Sequence, residues 1–160
     1  MEYDFRTNII LIADDFYEAF KRCREGKNPV QDGNVVKCSV CNVPAIVNGA
    51  FALELYFKSM LSPDTDGHKL MDLFNSFEEN IKQEIKEKSI SKLEKLAWGK
   101  SFEQYLEDIN NVFVDWRYIH EKNYNVKYLS NGANEFLQVL SILLPVISEI
   151  ARKYAIVNDI

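Results

Sequence analysis

The chain is poor in the residues that punctuate or cross-link a fold. Six glycines and four prolines in 160 residues leave few enforced turns, so long uninterrupted elements are expected between them. Three cysteines, an odd number, do not make a disulfide framework, and the expectation is reduced thiols in a cytoplasmic setting. There is no basic surplus: 19 Lys and Arg against 24 Asp and Glu give a net charge of −5. That balance argues against general nucleic-acid affinity, which rests on a basic surface, and leaves room only for a small basic pocket. No long hydrophobic run stands out. The most apolar stretch, Phe136 to Ile150, is interrupted by Gln138, Ser141, Pro145 and Ser148, too short and too broken to span a bilayer. The first five residues, Met-Glu-Tyr-Asp-Phe, carry neither a basic nor an apolar signal region, so no secretory leader is expected there. Internal repeats and low-complexity tracts are absent.

What the chain does have is an ordinary globular composition, 47% hydrophobic and 27% charged, which argues against disorder. Its length suits one domain with one substantial core. Ile9, Ile10, Ala13, Phe16, Tyr17 and Phe20 recur at helical spacing within 3–24, with Gly26 as a C-terminal cap. The stretch 26–43 is the longest expected loop, with Asn34 to Cys38 locally extended. Pro44 suits the first turn of a helix running to Leu61, with Ile46, Ala50, Leu53, Phe57 and Met60 as its apolar stripe. Ser62-Pro63-Asp64 stops it. A short helical piece follows from His68 to Leu73, with Asp66 as its cap. Another spans Phe77 to about Lys88, with Lys82, Lys86 and Lys88 interleaved among Glu79, Glu84 and Glu87 as a solvated face. Ser101-Phe-Glu-Gln104 has the form of a capping box. It opens a helix carrying Phe102, Tyr105, Leu106, Ile109, Val112, Phe113 and Trp116, expected to reach Glu121. After a loop over 123–132, a last helix runs from about Ala133 to Tyr154, kinked or loosened at Pro145. No segment alternates with period two. The reading is a single all-α domain over 1–160: an antiparallel bundle of four to five helices.

Three segments, in this order, carry a resemblance: Ala50-Phe-Ala-Leu-Glu-Leu-Tyr-Phe-Lys-Ser-Met-Leu61, Gly67-His-Lys-Leu-Met-Asp-Leu-Phe74 and Phe113-Val-Asp-Trp-Arg-Tyr-Ile-His-Glu121. Together they resemble the HEPN superfamily, in particular its bacterial branch with a Trp-Arg-Tyr motif, over roughly 45–154. The resemblance implies an antiparallel helical bundle, often a homodimer. Many such proteins are metal-independent endoribonucleases, toxins or parts of defence systems; others are inactive scaffolds or accessory domains. Active members carry an Arg, then four to six residues, then a His. Arg117 matches the Arg, whereas Glu121, Lys122, Asn123 and Tyr124 occupy the following window and His120 stands only three residues on. The catalytic motif is thus degenerate relative to the family pattern.

The candidate residues each admit two readings. Arg117 and His120, at i and i+3, share a helix face. The Arg can hold a phosphate, and the His can act as general acid or base in RNA cleavage through the 2′-hydroxyl. Alternatively Arg117 pairs with Glu121 or Glu54, and His120 is a rim residue. Glu54 falls between two leucines, and buried there it requires a cation. Arg117 is the candidate from another helix, and an i,i+4 surface pair with Lys58 is the plainer alternative. His68 reads as structural. Cys38 and Cys41 form a CxxC with no second pair, so zinc there would need Cys23, His68 or His120 brought in by folding or dimerisation. A loop-packing pair is the simpler account, and no metal or cofactor is expected. Tyr105, Phe113 and Trp116 belong to the core, with Tyr118 and Tyr124 the more exposed. The functional expectation is a dimeric accessory or interaction domain in a toxin–antitoxin or defence setting, with a protein partner encoded nearby, no membrane partner and RNA as a possible ligand. The alternatives are an endoribonuclease using Arg117 and His120, supported by Glu54, and a small-ligand or nucleotide-binding bundle.

Overall fold

The computed structural model describes residues 4–25, 30–32, 35–37, 42–110, 112–113 and 126–157, with backbone alone for 30–32, 35–37, 126–132 and 156–157. The chain is all-α. In order along it come α1 (Phe5–Arg24), a two-stranded ribbon of β1 (Val30–Asp32) and β2 (Val35–Lys37), then α2 (Asn42–Ser59), α3 (Leu70–Asn75), α4 (Glu79–Leu93), a 3₁₀ turn (Glu94–Leu96), α5 (Phe102–Asp108) and α6 (Val126–Val157). The ribbon is antiparallel, with Gln31 opposite Val36. The extended reading of 34–38 thus agrees with β2, and β1 is its unforeseen partner. Six helices are described where four to five were expected, because two of them, α3 and α5, are short pieces.

The helices start where local chemistry satisfies their first amide donors. Asp4 caps α1, its carboxylate accepting from the Arg6 and Thr7 amides. Ser101 and Gln104 form the anticipated capping box on α5, each meeting the other's orphan donor. Pro44 lies in the first turn of α2, where its missing N–H costs no helical bond. The short α3 is different. Asp66 does not cap it; Lys69 stands at the cap position without a side-chain bond. Its donors are met from afar, by Asn110: the Met71 amide donates to Asn110 Oδ1 at 2.8 Å, and the Leu70 amide to the Asn110 carbonyl at 3.5 Å.

That role for Asn110 explains a correction to the expected long helix over 102–121. The first helical segment ends at Asp108 and the chain turns at Ile109 and Asn110; Val112 and Phe113 are helical again, and 114–121 lie outside the described residues. Asn110 is buried, so its polar groups must find partners, and α3 supplies them only if the chain turns there. A second correction lies in the last helix: 126–132, expected as a loop, is helical, and Pro145 sits inside an unbroken α6. Pro145 is solvent-exposed. The Ser141 carbonyl that loses its partner to this proline lies on the same turn as the Ser141 hydroxyl, which bonds Leu137 and receives Arg24.

The core forms where α1 packs on α2, α2 on α6, and α4 on α6. Ile10, Ala13 and Phe20 of α1, Ile46, Leu53, Tyr56 and Phe57 of α2, and Leu140, Leu144 and Ile147 of α6 are all buried. Gly49 allows the closest approach: a Cβ there would stand 2.7 Å from Phe20 Cδ2 and 3.2 Å from Leu140 Cδ1. One polar knot ties the three helices together. The buried Tyr56 hydroxyl of α2 donates to Asp14 of α1 at 2.6 Å, and Arg152 of α6 donates to the same carboxylate at 2.5 Å. By length and composition, Ala133–Ala155 of α6 is apolar enough to cross a membrane, and half of that stretch is buried inside the fold. A core helix has the same profile.

Candidate functional site

Of the candidate residues, Glu54 falls within the described structure. Arg117 and His120, the rest of 114–125 with Trp116, Tyr118, Glu121 and Tyr124, and Cys38 and Cys41 all lie outside the described residues.

Glu54 is buried in α2, at 1% exposure. Apolar residues crowd nearly every side of this helix, so the carboxylate has little water to hydrate it and needs cationic or donor partners. Two reach it. Lys58, one turn on, places Nζ 3.0 Å from Oε1. His68, from the segment between α2 and α3, places Nδ1 2.8 Å from the same Oε1. A carboxylate can only accept, so Nδ1 carries the proton and donates. Nε2 is then the ring's remaining lone-pair site on a side chain that is 63% exposed. Glu54 Oε2 is buried and has no hydrogen-bond partner among the described residues.

Glu54 and Lys58 thus form the anticipated i,i+4 pair, but with the carboxylate inside rather than on the surface. The His68 contact was not anticipated, because fourteen residues and a turn separate the two. His68 lies ahead of α3 rather than packing in its first turn. Chemically the trio is a carboxylate that orients an imidazole and a lysine. It fixes the His tautomer and pins the 62–69 connection to α2. Among the described residues no group of three or more His, Cys, Asp or Glu side chains is placed to hold a metal ion.

The start of the Trp-Arg-Tyr segment docks close by. Phe113 stacks on Phe51 of α2, centroids 4.5 Å apart and planes 15° from parallel. Phe16 of α1 meets Phe51 edge-on at 4.6 Å. Phe51 stands three residues before Glu54, hence on a neighbouring turn of the same face. Tyr105 is buried and Phe113 half-buried, as expected of core aromatics.

No family model matches this chain. No curated protein and no solved structure matches it either. The functional reading therefore rests on the residues and their geometry.

Proposed function

We propose that this chain is a HEPN-like helical protein with a degenerate catalytic motif, acting in the cytoplasm as a dimeric accessory or interaction domain of a toxin–antitoxin or defence system. The observation that carries the proposal is the state of Glu54. Its one partnered oxygen is taken by Lys58 and His68, and its other oxygen is sealed from solvent. A carboxylate held this way organises the fold; it is not poised to accept a substrate proton, which demands hydrogen-bond reach to that substrate. The family spacing supports the same reading, since no His follows Arg117 after four to six intervening residues. Arg117 is the cation this proposal assigns to the orphaned Glu54 Oε2. Phe113, four residues before it, stacks on Phe51 one turn from Glu54, and a buried carboxylate oxygen without a donor is costly.

The test joins three measurements. Light scattering of the purified protein reports a dimer. Incubation with a panel of RNAs leaves them intact. Expression in bacteria is tolerated. Cleavage or toxicity that disappears in Arg117→Ala and His120→Ala, with the fold retained, would instead establish the endoribonuclease. A monomer at micromolar concentration would remove the dimeric part of the reading.

A further inference from the structure

Where the chain leaves α2 lies a cavity of about 480 Å³. That is within the size range of small-ligand sites, which runs from about 300 to 1,000 Å³. The ends of several elements meet there: α1's first turn, the exit from α2, the α3–α4 junction and the last turns of α6. Its apolar wall is made by Met60, Leu61, Phe77 and Ile81, each less than a tenth exposed. Tyr154 closes one side, its hydroxyl already donating to Glu84 at 3.2 Å. Two opposite charges complete the lining, Arg6 and Glu78.

Arg6 makes this cavity more than a gap between helices. Nearly every other arginine and lysine in the helices around it has an acidic partner: Arg152 takes Asp14, Lys153 takes Glu84, Lys82 takes Glu79. The Arg6 backbone amide is bonded to Asp4 and its charge acts on the Asp4 carboxylate, but no hydrogen bond or close ion pair holds its guanidinium among the described residues. It is partly buried, where an unsatisfied planar five-donor group favours a bidentate oxyanion. Glu78 on the same lining disfavours a doubly charged headgroup by like-charge repulsion. The apolar wall calls for a hydrocarbon body of a few carbons.

We infer that this cavity binds a small amphipathic monocarboxylate, its carboxylate on Arg6 and its alkyl chain against Met60, Leu61, Phe77 and Ile81. The site is separate from Glu54 and does not depend on the accessory-domain reading. Isothermal titration calorimetry of the full chain with sodium octanoate tests it. The expected result is saturable one-to-one binding, about fourfold tighter than heptanoate, the gain of one buried methylene. Arg6→Gln weakens it at least tenfold. Ser62→Trp, at an exposed position on the lining, abolishes it while circular dichroism stays native. Octanol and octyl phosphate bind more weakly than octanoate. Four results would overturn the inference: no saturable binding, unchanged affinity in Arg6→Gln, octanol or octyl phosphate binding as tightly as octanoate, or a leucine-terminated peptide outcompeting it.

Discussion

At Gly49 the second helix meets its neighbours through carbon alone, whereas at Glu54, between one and two turns further on, it buries a carboxylate. The first contact is dry and close: the glycine leaves Phe20 and Leu140 no room for even one added methyl. The second is held by Lys58 and by a histidine from the following connection. The difference separates two tasks that one helix performs. Close apolar packing supplies stability through buried area and dispersion. A buried ion pair gains little net free energy, because desolvation offsets attraction, and its contribution is to fix which groups come together. On this view the Gly49 end holds the fold, and the Glu54 end dictates where the α2–α3 connection lies.

Substitutions can break that division, and the largest effects belong at the dry end. Phe20→Ala, which empties a fully buried site between α1, α2 and α6, is expected to cost about 3–5 kcal/mol in urea unfolding. Gly49→Val overfills the same place. Phe20 is the far side of the clash but is itself packed, so a loss of about 1–3 kcal/mol is expected despite the better helix propensity of valine. A neutral result would show that the α1–α2 contact yields more readily than the geometry implies.

Tyr56→Phe falls between the two regimes. It removes a hydrogen bond to Asp14 while Arg152 still satisfies that carboxylate, so about 1 kcal/mol is expected at neutral pH. Its pH signature is more telling. Burial first, and the Asp14 hydrogen bond second, raise the Tyr56 hydroxyl far above its ordinary 10.0. A raised folded value stabilises fully below the unfolded one and is lost as pH climbs beyond it. Wild-type stability should therefore decline above about pH 10, and Tyr56→Phe should decline less steeply over that range.

The smallest changes are expected where buried polar atoms are poorly served. Ser89 is fully buried and its hydroxyl has no partner among the described residues. Ser89→Ala should gain up to about 1 kcal/mol in thermal or urea melts; a loss would reveal a hidden partner. Glu54→Leu, made together with Arg117→Leu so that no cation is left buried, should change global stability by less than about 1 kcal/mol, since Lys58 and His68 can both return to water. Amide exchange over 64–69 should nevertheless quicken markedly. A large global loss without local loosening would reverse the roles assigned to the two ends of α2.

Much of this was legible in the sequence. The all-α class, α1, α2, the solvated face of α4 and the capping box at Ser101 all follow from local spacing and local donors. The departures share one cause, which is action across the chain. Ile109, Val112 and Phe113 keep a helical period, so nothing nearby announces that Asn110 turns out to serve α3. Asn131-Gly132 reads as a loop because propensity is local, whereas the packing that favours α6 is not. The Glu54–Lys58 half of the candidate site is a one-turn relation and could be read. The His68 half depends on how the chain returns after Ser62, which no local rule fixes. The cavity beside Arg6 could not be read, since its lining comes from four distant element ends.

Asn110 also bears on the order in which the molecule assembles. A helix of six residues has no stability of its own in water, and α3's first-turn donors are met by a residue 39 positions away. Until the turn after α5 has docked, α3 lacks its cap and the part of its packing surface that α5 supplies. The two short helices should therefore open and close as one cooperative unit, with matched hydrogen-exchange protection along 70–75 and 102–110. In refolding they should acquire that protection together, after the more local turns of α1 and α4.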